Sequence, residues 1–345
     1  MQSNQLSLVD EAVKKAAARL SATSLHSLMH EPARSRFIYR FEDLTVDCTR
    51  QLLDEDGMMA LLHLAEKCQL QNRIDEMFSG ALVNITEHKP VQHMAARSPD
   101  HVASVAYQKL SAFAETVRRN PNITSVVNLG IGGSDLGPKM VTQALAGFHD
   151  GPVCHFVGNI CPTALHDVLV TCDAHKTLFI VTSKTFATAE TLANAMMAKD
   201  WLNRHGVDAG PAMVAVTAAE NRAQLWGIPP DHVFAFADGI GGRYSVWSSV
   251  GLSVMIAIGS ENFSRMLAGA YAMDCHVQLT ELAQNIAVIM GLLRVWCRRY
   301  LKLPAYGLIP YDQRLASLPV WAQQLEMESN GKSVDRQGHP LPLPA

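Results

Sequence analysis

No large charge excess marks this chain. Its 29 lysines and arginines against 32 aspartates and glutamates leave a formal net charge of −3, which gives no global attraction to nucleic acid or to an anionic membrane. Any anionic ligand must therefore be small. Seven cysteines lie far apart with no C-x-x-C pair, which fits reduced thiols in a cytoplasmic protein better than a disulfide framework. The N-terminal stretch lacks the apolar core of an export signal and patterns as an amphipathic helix. No charge-free run reaches the ~20 residues that span a bilayer; the longest candidate, "YSVWSSVGLSVMIAIGS" from Tyr244, is broken by serines and glycines and is expected to be a buried helix. His26 and His30 lack the H-E-x-x-H arrangement of a zinc site, and no other metal pattern occurs. Internal repeats and low-complexity tracts are absent too.

What remains is an apolar sequence, 48% hydrophobic and 18% charged, sufficient for buried cores. Residues 1–99 pattern as mainly helical; in "GMMALLHLAEKCQL", Met58, Leu61, Leu62, Ala65 and Cys68 share one face. Over 100–270 the β-rich runs "SVVNLG", "CHFVG", "TLFIVTS", "AMVAVT" and "HVFAFA" alternate with helical segments. Short, continuously apolar strands separated by helices predict an α/β fold, a parallel sheet covered on both faces. In "ANAMMAKD", Met196 and Met197 are expected to pack. Residues 271–345 supply long apolar helices, a strand-like run "AYGLIPY", a helix near 315–325 and the proline-rich ending "GHPLPLPA". A lone strand cannot bury both its faces, so this stretch reads as the beginning of a second domain.

Ligands of such sheets bind beyond the strand C-termini, and four segments there carry chemistry. "LGIGGSDLGP" places four glycines within eight residues, but Asp135 stands where a dinucleotide fingerprint needs its third glycine. A carboxylate facing a pyrophosphate argues against a nicotinamide dehydrogenase. Ser134 or Asp135 is a candidate cap for the next helix. "TSKTFATAE" supplies Ser183, Lys184, Thr185 and Thr188; hydroxyls and an ammonium at a helix start suit a phosphate monoester, although Thr188 with Glu190 also reads as an ordinary helix cap. "DGIGGRYSVWSS" brings Gly242 and Arg243 to the same edge. A guanidinium there stabilises an oxyanion, or else pairs structurally with Asp238. "QQLEMESNGK" holds Gln324, Glu326 and Glu328 in what reads as a polar loop; either glutamate is a candidate general base.

Taken in order, "GIGGSDLGP", "SKTFATAET", "DGIGGRYSVWSS", "PYDQRL" and "MESNGK" resemble the phosphoglucose isomerase family, from about Asn84 to Lys332. The resemblance implies a sugar-isomerase three-layer α/β/α sandwich over 100–270, with 271–345 holding connecting helices and the start of a second such domain. It implies interconversion of glucose 6-phosphate and fructose 6-phosphate through a cis-enediol, without metal or cofactor, in a homodimer. Ser183, Lys184, Thr185 and Thr188 would hold the phosphate, and Gly133, Ser134 and Gln324 would contact the sugar. Gly242 and Arg243 would support the enediolate, and Glu328, not Glu326, would move the proton. Two family groups, a ring-opening histidine and a lysine, lie beyond the matching segment, and His339 does not replace the former. A catalytically silent sugar-phosphate-binding module is the competing expectation. Leu325 stands where the family has glycine, and backbone strain is expected there if φ is positive.

Overall fold

The computed structural model describes residues 2–30, 32–85, 87–335 and 337–341; the last residues of the proline-rich ending lie outside it. The chain divides into two compact, interleaved units: residues 1–83 with 272–307, and residues 84–271 with 308–344. Among the described residues no helix is long and apolar enough to cross a membrane.

The first unit is mainly helical. Helix α1 (Gln2–Ser21) buries Val13, Ala16, Ala17 and Leu20, a 3–4 residue spacing that makes one apolar stripe. The facing helix, α2 (Glu55–Lys67), contributes Met58, Leu61, Leu62 and Ala65. Cys68, assigned to that face by periodicity, instead ends the helix and is exposed. Asp54 caps α2 by accepting from the Gly57 amide at 2.9 Å. A hairpin of β1 (Ile38–Phe41) and β2 (Leu44–Asp47) and a helix at Ile286–Val295 close this core. Trp296 is fully buried there and donates its indole N–H to the Leu52 carbonyl at 3.0 Å.

The second unit holds a five-stranded parallel sheet of β3 (Ser125–Leu129), β4 (Val153–Val157), β5 (Thr177–Thr182), β6 (Met213–Val216) and β7 (Val233–Phe234). Its spatial order is β4-β3-β5-β6-β7. The alternation of side chains across the pleat assigns each strand to two cores. Val126, Leu178, Ile180, Val214 and Val216 face one cluster, with the helices Val105–Arg119, Leu136–Ala144 and Leu252–Ile258. Val127, Phe179, Val181, Met213 and Ala215 face the other, with Pro162–Leu169, Ala189–Arg204 and Glu220–Trp226. Burial on both faces, at roughly 1.5–3 kcal/mol per large side chain, explains the unbroken apolar runs.

Four expectations are corrected. Residues 305–311 form no strand and belong to neither sheet. The run from Tyr244 is buried as expected but is not one helix: a 3₁₀ segment (Gly242–Trp247) and a second (Ser249–Gly251) precede Leu252–Ile258. The Ser248 hydroxyl breaks it by accepting from the Val250 amide at 3.3 Å. Met196 and Met197 lie on the solvent side of their helix, 58% and 39% exposed. The segment "QQLEMES" is helical, part of Leu318–Asn330.

Candidate functional site

Because β3 lies inside the sheet, the chain winds outward in both directions from it, and the loops after β3 and β5 diverge above their carboxyl ends. That is where open α/β sheets bind ligands. A cavity of about 440 Å³ occupies this place. Gly132 and Gly133 reach it from the loop after β3, Lys184 from the loop after β5, and Gly242 and Arg243 from the segment after β7; Gln324 and Glu328 reach it from helix Leu318–Asn330.

The glycine loop is shaped mainly by the protein itself. The Asn128 amide, on β3, donates to the Ser134 carbonyl at 2.9 Å and pulls the chain into a tight turn. Gly132 adopts φ +59°, which favours glycine. A Cβ on Gly133 would collide with the Gly242 carbonyl, so two main chains touch there. Part of the glycine content thus serves loop-on-loop packing, in addition to lining the cavity. Asp135 occupies the N-cap position of the next helix without making a side-chain cap, and neither does Ser134. Its carboxyl is buried against Gly158, and that burial raises its pKa against the pull of Lys139.

The segment after β5 is tightly held. The Ser183 and Thr188 hydroxyls lie 3.0 Å apart, and Phe186 between them is buried at φ +45°, an uncommon conformation for a bulky residue. Thr188 occupies the N-cap position of its helix but makes no side-chain cap. Thr185 is exposed, and its carbonyl accepts from Arg222 at 3.1 Å. Of this group only Lys184 lines the cavity; Ser134, Ser183, Thr185 and Thr188 do not.

Arg243 does not pair with Asp238. Its guanidinium lies 3.6 Å from the Glu328 carboxylate and donates from Nε to the Ser329 hydroxyl at 2.9 Å. Tyr244 meets the same hydroxyl at 2.5 Å, with Arg243 stacked 4.8 Å above its ring. Asp238 instead receives Lys89 at 2.5 Å and Lys184 at 3.2 Å. Gln324 and Glu328, four residues apart on a helix, share one face and both line the cavity, whereas Glu326 does not line it. Leu325 is inside the helix and its φ is not positive, so no strain arises. The Lys332 ammonium donates to the Glu328 carbonyl and closes the helix end.

Sequence reasoning assigned no role to several lining residues, among them Glu87, Lys89, His93 and Tyr244. Glu87, Lys89 and His93 lie in the run "NITEHKPVQHMAAR" and Tyr244 follows Arg243, and neither place has a spacing of its own that marks a site. The His93 ring stacks on Tyr244 with centroids 4.7 Å apart, and its Nδ1 is buried without a partner among the described residues. Burial above all, then the charges of Arg97 and Arg243, hold its pKa down to about 4. The Gln324 Oε1 is a second buried acceptor with no partner among the described residues.

Comparison with known proteins places this arrangement. A model of the phosphoglucose isomerase family matches residues 47–344. The glucose-6-phosphate isomerase of Xanthobacter autotrophicus is 45% identical over 341 residues, covering 92% of this chain and 62% of that protein. That of Roseobacter denitrificans is 40% identical over 343 residues, covering 95% and 64%. The crystal structure of a glucose-6-phosphate isomerase from Chlamydia trachomatis superposes with a TM-score of 0.86 at 29% identity, covering 96% of this chain and 68% of that one. The chain thus spans 62% and 64% of the length of these two curated relatives.

Proposed function

The chain belongs to the phosphoglucose isomerase family, and from that membership we propose that its cleft interconverts glucose 6-phosphate and fructose 6-phosphate. The observation that carries this reading is the facing pair of Glu328 and Arg243, 3.6 Å apart, in one cavity with Lys184.

Aldose–ketose isomerisation removes a proton beside a carbonyl and leaves negative charge on oxygen. Glu328 takes the proton from C2 and returns it to C1, becoming neutral while the enediolate carries the charge, and the O2 hydroxyl proton passes to O1 to complete the exchange. Arg243, close to the carboxylate, compensates the charge in both positions, so little reorganisation accompanies its transfer. Gln324 offers its unpartnered Oε1 to a sugar hydroxyl, and Gly133 and Gly242 admit the sugar close to the main chain. The phosphate is placed at the margin of the cavity, on the loop after β5, where Lys184 lines it and Ser183, Thr185 and Thr188 stand outside its lining, with Ser134 on the sugar side; binding that remote group orients the reacting carbons. No metal or cofactor takes part in this scheme. The functional form is a homodimer in the cytoplasm.

A coupled assay with parallel ligand titration tests the proposal. Glu328→Gln is expected to lose about 10²–10⁴-fold in kcat, the usual contribution of a positioned base, while retaining sugar-phosphate affinity. Near-normal turnover in this variant overturns the assignment. Binding by the wild-type chain without any turnover supports the silent sugar-phosphate-binding module instead.

A further inference from the structure

One helix carries both Glu328 and the group that holds its charged neighbour. Ser329 follows Glu328 on Leu318–Asn330, and its hydroxyl oxygen accepts the Arg243 Nε–H at 2.9 Å. The Tyr244 hydroxyl lies 2.5 Å from the same oxygen. The Glu328 carboxylate, one residue back, stands 3.6 Å from Arg243 Nη1. A charge-assisted hydrogen bond is shorter, roughly 2.7–2.9 Å, so the two charges face each other without bonding.

That gap needs a cause, because a guanidinium and a carboxylate left to themselves close into a two-bond fork. Such a fork would turn the cation onto the base and away from a substrate oxygen. The bond from Nε to Ser329 removes the side-on fork, which is built from Nε and one Nη. Stacking fixes the plane as well: the Arg243 guanidinium carbon lies 4.8 Å from the centre of the Tyr244 ring, on which His93 stacks at 4.7 Å with the planes 23° apart. Among the described residues neither Nη atom of Arg243 makes a hydrogen bond. Both are open to a ligand oxygen. Arg243, Tyr244 and Glu328 line the cavity and Ser329 does not, so the serine reaches a ligand only through Arg243.

We propose that Ser329, pinned by Tyr244, is a positioning residue that holds Arg243 off Glu328 and aims its two free nitrogens at the oxyanion formed during isomerisation. This rests on reading the cleft as the isomerase site. Because consecutive residues carry the base and the anchor, the guanidinium keeps its distance from the base even when the helix end shifts. A donor placed in advance where charge develops needs no reorganisation when the charge appears.

Calorimetric titration with 6-phosphogluconate, and separately with sorbitol 6-phosphate, tests this at pH 7.5 in fixed salt. The two ligands differ only at C1, a carboxylate against a CH₂OH, so the ratio of their affinities reads the cation aimed at the reacting carbons. Ser329→Ala is expected to weaken 6-phosphogluconate about tenfold, the scale of one hydrogen bond to a charged group, and to leave sorbitol 6-phosphate unchanged. Ser329→Thr keeps the hydroxyl and is expected to restore most of the ratio. Tyr244→Phe keeps the ring and removes the pin; it is expected to lower the ratio about threefold, and it decides the matter if Ser329→Ala shows a lowered unfolding transition. An unmoved ratio overturns the proposal, and so do equal losses for both ligands, which mean a general loosening of the site. Turnover on the same samples is expected to show kcat of Ser329→Ala reduced roughly 10- to 100-fold, less than removal of an oxyanion donor itself, with KM unchanged; a normal kcat in that variant overturns the proposal too. A moved ratio in a chain that binds without turnover removes the isomerase assignment and leaves the positioning of Arg243 standing, whereas normal wild-type turnover with an unmoved ratio removes the positioning role alone. A wild-type chain that binds neither ligand removes both.

Discussion

His93 is neutral at physiological pH because charging it would place a third cation beside Arg97 and Arg243 in a poorly solvated spot. Its pKa falls from 6.5 in the unfolded chain to about 4 in the folded one. Between those values the unfolded chain binds more protons, so the stabilisation is complete above pH 6.5 and is lost as pH falls toward 4. In that window the His93 contribution has a slope approaching one proton, at most about 1.4 kcal/mol per pH unit. Denaturant unfolding of wild type and His93→Gln at several pH values is expected to show the steeper acid loss in wild type only. The two paired glycines make an opposite contrast. Gly133→Ala forces the Gly242 carbonyl aside and is expected to cost about 1–3 kcal/mol. Gly242 has open space where its Cβ would stand, so Gly242→Ala is expected to change stability by less than about 0.5 kcal/mol; thermal unfolding of the two variants checks the pair. None of this was legible beforehand, since which glycine touches which backbone depends on loops more than a hundred residues apart in sequence.

At the scale of elements, the sheet was legible because β3, β5 and β6 are buried on both faces and carry the signal in every residue. The run "HVFAFA" was read longer than it is. Only Val233–Phe234 pair, because the chain then leaves the ladder: the Ala235 carbonyl turns to the Ser249 hydroxyl at 3.0 Å and the Gly239 carbonyl to Gln92. The helix expected near 315–325 continues to Asn330 and carries Glu328, an extension missed for a related reason. Serine and asparagine near its end suggested a loop, and no buried side chain gives it an apolar stripe. Once the helix is seen, its geometry alone separates Glu328, one turn from Gln324, from Glu326. Leu325 is the residue that suits this helix, and Leu325→Gly is expected to destabilise by about 1 kcal/mol or more, glycine being that much poorer in a helix interior. Chemical denaturation followed by circular dichroism reads the difference.

For the molecule as a whole, the sequence was read as three consecutive segments, 1–99, 100–270 and 271–345, because a contiguous reading cannot reveal a chain that leaves one unit and returns to it. The second unit leaves Ile309, Tyr311, Val320 and Met327 more than half exposed, at 73%, 101%, 51% and 64%. Exposed apolar groups of this size favour association. The chain is expected to self-associate with rising concentration in sedimentation velocity, and the double variant Ile309→Ser, Tyr311→Ser to do so less. The interleaving also governs how Glu328 reaches the cavity. Helix Leu318–Asn330 buries no residue fully, and residues 302–310, which lead back to it, form no regular structure. The helix is docked by Leu318 and Trp321, which pack on the core of the second unit, and by the Ser329 hydroxyl between Arg243 and Tyr244, contacts that the tether keeps at a local concentration above any it would reach as a free peptide. A single proteolytic nick in that lead-in would leave the sheet and Lys184 standing while Glu328 is held in place by those contacts alone.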